Sequence, residues 1–162
     1  PCERNPSVTT LKKALMGKEL DYTIPTDPDS RPGNAKGLLV GGNLSILYSL
    51  SGTPSDIDTG GKILFIEDLD EYLYHVDRMM MNLKRSGKLK NLAGLIVGGM
   101  TDMNDNQVPY DKTANEIIMD TVKDYEYPVC LNFPAGHLDE NLALVLGRRV
   151  ELEVSENTRV RF

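Results

Sequence analysis

Four short apolar runs constrain the fold of this chain more than any other feature: Gly37 to Gly41, Lys62 to Ile66, Leu92 to Val97, and Val129-Cys130-Leu131. A strand apolar on successive residues is covered on both faces, as in a parallel sheet with helices packed on it. The segments between the runs carry helical spacing. Asn43 caps a short helix bearing Leu44, Leu47 and Tyr48 that ends at Gly52, and a longer one from about Glu71 places Leu73, Val76, Met80 and Leu83 three and four residues apart before Gly87. Residues 111–125 give a third helix, with Ala114, Ile117, Ile118, Thr121, Val122 and Tyr125 on its apolar face. The tail then changes character. Leu142 to Leu146, Arg149 to Val154 and Arg159 to Phe162 read as strands, joined by turns at Gly147-Arg148 and Ser155-Glu156-Asn157. The expected class is α/β with a mixed sheet, a parallel portion followed by antiparallel C-terminal strands.

At 162 residues the chain fits one globular core, large enough to need neither disulfides nor a metal to supplement it. Residues 1–36 differ from the rest, because Pro1, Pro6, Pro25, Pro28 and Pro32 cluster there with Asp27, Asp29 and Ser30. That composition favours loop and extended chain, interrupted by a short helix capped by Thr9 or Thr10, running through Leu11, Ala14 and Leu15, and closed by Gly17. The segment reads as an interdomain linker. Opening on Pro1, without a signal or transit peptide, the chain reads as a piece of a longer protein.

The net charge of −6, with no sustained basic stripe, disfavours nucleic-acid binding, and no apolar run approaches the ~20 residues of a membrane span. Cys2 and Cys130 lie far apart without a metal-binding spacing, which fits a reducing compartment. The Gly-Gly pairs at 41–42, 60–61 and 98–99 match neither dinucleotide nor phosphate-loop patterns and read as tight strand-to-loop turns. Asp102-Met103-Asn104-Asp105-Asn106 begins like a calcium loop. However, Gln107 stands where the glycine belongs and Thr113 where the closing glutamate belongs, so it reads as an ordinary polar loop.

Only two histidines are available for acid–base chemistry. His75, off the apolar stripe of its helix, reads as a surface or rim residue. His137 follows Phe133-Pro134-Ala135-Gly136, a turn directly after a buried strand that can project an imidazole into a cleft. Glu67 leaves the Ile63–Ile66 run at its carboxyl end, where open α/β sheets gather their sites. Asp68 and Asp70 read as helix-start carboxylates, one of them capping the helix that follows. A carboxylate paired with an imidazole is two-thirds of a nucleophilic triad. The nucleophile is what the chain lacks: Cys130 reads as core, and Ser45, Ser49 and Ser51 belong to a short helix and its end.

Five segments together resemble the C-terminal domain of the LD-carboxypeptidases: Gly41-Gly42-Asn43-Leu44, Gly52-Thr53-Pro54, Ile63 to Asp68, Asp77-Arg78-Met79 with Leu83, and Tyr127-Pro128-Val129 with Phe133-Pro134-Ala135-Gly136-His137. The resemblance covers about residues 36 to 154 and is similar to the muramoyltetrapeptide carboxypeptidase branch and the microcin-immunity peptidases. It implies a swivelling β/β/α domain over residues 37–162 and a Ser-His-Glu triad in which Glu67 is the glutamate and His137 the general base. The serine would belong to an N-terminal nucleophile domain that this chain does not contain, so the fragment alone is expected to be inactive. For the whole protein the resemblance implies release of terminal D-alanine from a murein tetrapeptide in cytoplasmic cell-wall recycling, by a homodimer, without metal or cofactor. The rival expectation is a noncatalytic peptide-binding or assembly domain on the same fold. The two differ in one observable: a neighbouring Glu67 and His137 on an open surface favour catalysis, whereas either one buried in packing or turned away favours binding.

Overall fold

The computed structural model describes residues 5–162, so Cys2 lies outside the described residues. Eleven elements follow in chain order: α1 (Pro6–Leu15), β1 (Asp21–Pro25), β2 (Gly33–Asn43), α2 (Leu44–Leu50), β3 (Ile63–Leu69), α3 (Leu73–Arg85), β4 (Gly94–Thr101), α4 (Ala114–Thr121), β5 (Val129–Cys130), β6 (Arg149–Val154) and β7 (Asn157–Arg161). The strands form one sheet in the order β1-β7-β6-β2-β3-β4-β5. β2 through β5 are parallel, while β6 pairs antiparallel with β2 and β7, and β1 antiparallel with β7. The expected mixed sheet is therefore the fold observed.

β2 joins the two portions by changing partners along its length. Gly33 to Leu38 pair with β6, and Leu39 to Asn43 pair with β3. Successive residues of the parallel strands enter different cores. Leu64, Ile66, Leu95 and Val97 pack with α2, α3 and α4, whereas Ile63, Phe65 and Ile96 pack with Tyr22, Val150, Leu152, Val154 and Val160 of the antiparallel strands. This two-sided burial is why Ile63 to Ile66 carry no polar alternation, and why the one-sided β7 alternates buried and exposed residues. The layers are thus helices, parallel strands and antiparallel strands.

Several expected elements shift. Residues 6–36 hold a helix, a strand and the start of β2, because Leu20 and Tyr22 are buried and the Tyr22 hydroxyl donates to the Ala143 carbonyl at 2.6 Å. These anchors outweigh the proline-rich composition. α1 is capped by Asn5, whose Oδ1 accepts from the Ser7 N–H at 2.9 Å, rather than by Thr9 or Thr10; Pro6 then occupies the first helical turn, where a missing N–H costs nothing. Leu142 to Leu146 is not a strand. Its Leu142 N–H donates to the Pro134 carbonyl and its Ala143 N–H to Thr10 Oγ1, so loops and α1 satisfy a backbone that a ladder would otherwise pair. The Gly41-Gly42 and Gly98-Gly99 pairs lie inside β2 and β4 rather than in turns. At Gly41, φ is +131° and an added Cβ would sit 1.9 Å from the Phe65 carbonyl oxygen, so this close strand approach requires glycine.

Candidate active site

Glu67 stands on β3 one residue past the apolar run, opposite an irregularity in the ladder. Ile66 pairs with Val97 and Asp68 with Met100, so Gly98 and Gly99 together face the single residue Glu67. Such bulges re-aim side chains at strand ends. Here the glycines also let a loop cross β4. A Cβ on Gly98 would lie 2.3 Å from the Ala135 carbonyl oxygen, and the Gly99 N–H donates to that same oxygen at 3.0 Å. The Phe133 N–H donates to Val97, and the fully buried Phe133 ring anchors the start of the turn.

This crossing brings His137 onto Glu67. The imidazole Nδ1 is 2.7 Å from Glu67 Oε2, and the His137 backbone N–H donates to the same oxygen at 3.2 Å. The partners differ sharply in environment, since the Glu67 side chain is 8% exposed and the His137 ring 51%. An ionised carboxylate only accepts, so the short contact puts the ring proton on Nδ1 and leaves the Nε2 lone pair free. Gly136, at φ +111°, makes the contact possible: a Cβ there would come within 2.7 Å of Glu67 Oε2 and 2.9 Å of its Cβ. The turn is tied further by Thr101, whose hydroxyl donates to the His137 carbonyl at 2.8 Å, and by Asn141, whose amide bonds both to the Gly136 N–H and to its carbonyl. Thr101 and Asn141 escape a reading of the sequence. The available signal was the tendency of asparagine near a glycine turn to bond backbone groups.

The remaining candidates fall elsewhere. Asp68 and Asp70 do not cap α3, which starts after Tyr72 without a side-chain cap. Asp68 is buried and turned toward α2, accepting from Asn43 Nδ2, the Ser45 N–H and the Leu69 N–H at 2.8–2.9 Å. Because adjacent residues of a strand face opposite ways, Asp68 supports a helix while Glu67 meets the loop. Asp70 accepts from Asn104 Nδ2 and so ties two loops together, while Asp105 accepts from the backbone of Asn106 and Tyr110 within its own turn. His75 on α3 pairs with Glu71, which lies just before that helix, Nδ1 to Oε2 2.6 Å, and not with Glu67. Ser45 Oγ donates to Asn43 and Ser49 Oγ to the Ile46 carbonyl, the local bonding expected of them. Cys130 is buried in β5, where desolvation pushes its thiol up to about 12 and disqualifies it as a nucleophile near neutral pH.

Among the described residues no serine hydroxyl hydrogen-bonds to the His137 ring, and no cluster of three or more His, Cys, Asp or Glu side chains can hold a metal ion. No helix among them is long and apolar enough to cross a membrane. A cleft of about 490 Å³ lies on the antiparallel strands, lined by Lys36, Arg149, Glu151 and Arg161 among others. Its Lys36 and Glu151 pair with each other at 2.6 Å, so size alone does not mark the site of chemistry.

Comparison with known proteins identifies the family and the fold. The sequence pattern of the LD-carboxypeptidase C-terminal domain matches residues 36–152. A probable murein peptide carboxypeptidase of Bacillus subtilis is 39% identical over 157 residues, covering 93% of this chain and 48% of the relative. The murein tetrapeptide carboxypeptidase of Pseudomonas aeruginosa is 28% identical over 153 residues, with the same coverage of 93% and 48%. The chain thus spans about half the length of these curated relatives. The crystal structure of muramoyltetrapeptide carboxypeptidase from Oxalobacter formigenes superimposes with a TM-score of 0.86 at 26% identity, over 98% of this chain and 55% of that one. The microcin C7 self-immunity protein MccF shares the fold, with a TM-score of 0.78 at 21% identity over 94% of this chain and 53% of its own. The chain therefore belongs to the LD-carboxypeptidase family, and its residues 36–152 correspond to that family's C-terminal domain.

Proposed function

We propose that Glu67 and His137 are the carboxylate and general base of a Ser-His-Glu triad, in a protein that removes the terminal D-alanine of murein tetrapeptides. The observation carrying this reading is the 2.7 Å contact between a buried carboxylate and a half-exposed imidazole whose second nitrogen is free. Glu67 holds the ring in one tautomer and stabilises the imidazolium as it forms. Nε2 then takes the proton of an attacking serine hydroxyl, and returns it to the departing amine as the acyl-enzyme forms. That serine comes from a nucleophile domain outside these 162 residues, with residues 1–36 leading from it into this domain. By itself this half of the site is inactive. The setting is cytoplasmic recycling of cell-wall peptides, and the enzyme is a homodimer needing no metal or cofactor.

The test is D-alanine release from murein tetrapeptide by the full-length protein. His137→Ala should abolish nearly all turnover, and Glu67→Gln should lower kcat roughly 10³–10⁴-fold, as for other triad carboxylates. Near-normal release by either variant would overturn the triad. Unchanged peptide affinity in a wild-type protein without turnover would instead favour the peptide-binding reading.

A further inference from the structure

The structure assigns to Asn141 the role of positioning residue for His137, an inference that rests on the reading of His137 as the base. The peptide unit before His137 belongs to Gly136, the residue with most backbone freedom, at a φ of +111° that other residues rarely adopt. A rotation there would carry the imidazole away from Glu67. Asn141 clasps this residue at two points: its Nδ2 donates to the Gly136 carbonyl at 2.7 Å, and its Oδ1 accepts from the Gly136 N–H at 3.2 Å. One planar amide therefore fixes both peptide groups flanking the Gly136 Cα.

Asn141 is itself anchored from outside the turn. Its backbone N–H donates to Ser7 Oγ on α1 at 2.9 Å, and two residues on the Ala143 N–H donates to Thr10 Oγ1 at 3.1 Å. On the far side of the histidine, Thr101 holds the His137 carbonyl. The imidazole is thus presented by a backbone gripped before and after it. α1, which precedes the matched residues 36–152, reaches the site through Asn141. Among the described residues the amide of the exposed Asn141 makes no other hydrogen bond, so burial does not account for its placement.

The experiment uses the second pair, His75–Glu71, as an internal control. In 15N-histidine-labelled protein each imidazole Nδ1 proton held by a glutamate gives a far-downfield resonance at low temperature, one for His137 and one for His75. Asn141→Ala should broaden or remove the His137 signal by exchange with water while the His75 signal persists. Asn141→Asp, equal in size but unable to donate to the Gly136 carbonyl, should do the same, and covers the case in which the alanine variant does not fold. In the full-length protein both substitutions should lower kcat by about 10²-fold with little change in KM, the scale of a base displaced by about 1 Å. An unchanged His137 resonance in either folded variant overturns the assignment. If the signal is lost but the wild type shows no turnover, positioning stands and the peptidase reading fails.

Discussion

Gly136 shows how one residue decides the geometry of the pair. Its missing side chain leaves the space that Glu67 fills, and its positive φ turns the following histidine onto that carboxylate. Gly136→Ala forces a Cβ to within 2.7 Å of Oε2 in a backbone conformation that alanine resists. The expected cost is about 1–3 kcal/mol of stability together with a fall in turnover, read by thermal denaturation and D-alanine release on the same preparation. The pairing of Glu67 with His137 followed from a motif resemblance, not from spacing, since seventy residues separate them in sequence. Thr101 bonds a backbone carbonyl 36 residues away and leaves no residue-type pattern, whereas Asn141 left only the weak signal of an asparagine near a glycine turn.

Among the elements, α2 depends on a neighbour outside itself. A helix of seven residues is too short to persist alone, and Asn43 is only part of its cap. Asp68 supplies the rest, accepting from the Ser45 N–H while holding the Asn43 amide, and so welds the start of α2 to the end of β3. Asp68→Ala leaves these donors without a partner in a partly buried place and should cost about 1–2 kcal/mol, seen as a lower urea midpoint with an unchanged m-value. The helices were readable from apolar spacing, and the Thr113–Glu116 capping box of α4 is a local pattern. Leu142 to Leu146 was misread for the opposite reason: apolar content alone does not decide whether a backbone finds a ladder partner.

Over the whole molecule, the two cores withdraw three titratable groups from water: Cys130 and Tyr22 on the side of the antiparallel strands and, partly buried, Tyr127 on the side of the helices. Burial raises the Cys130 thiol to about 12 and raises Tyr127 and Tyr22 above the usual phenol range. Unfolding restores ordinary values, so the unfolded chain holds fewer protons above about pH 8.5. Stability should therefore be full below that pH and fall as pH rises toward 12, first through Cys130 and then through the tyrosines. Urea denaturation at pH 7 and pH 10 checks the sign, and native Cys130 should resist alkylation at pH 8 until the chain unfolds.

By itself the sequence determined the elements: apolar runs covered on both faces for β3 and β4, and helical spacing for α3 and α4. These are local consequences of periodicity, which the chain carries wherever it is placed. Tertiary structure alone decided which strands are neighbours, that residues 21–25 complete the sheet, that a Gly-Gly bulge lets one loop cross β4, and that Asn141 clasps Gly136. Those outcomes rest on close backbone approaches and long-range hydrogen bonds between distant segments. Their energies exist only once the two cores have closed.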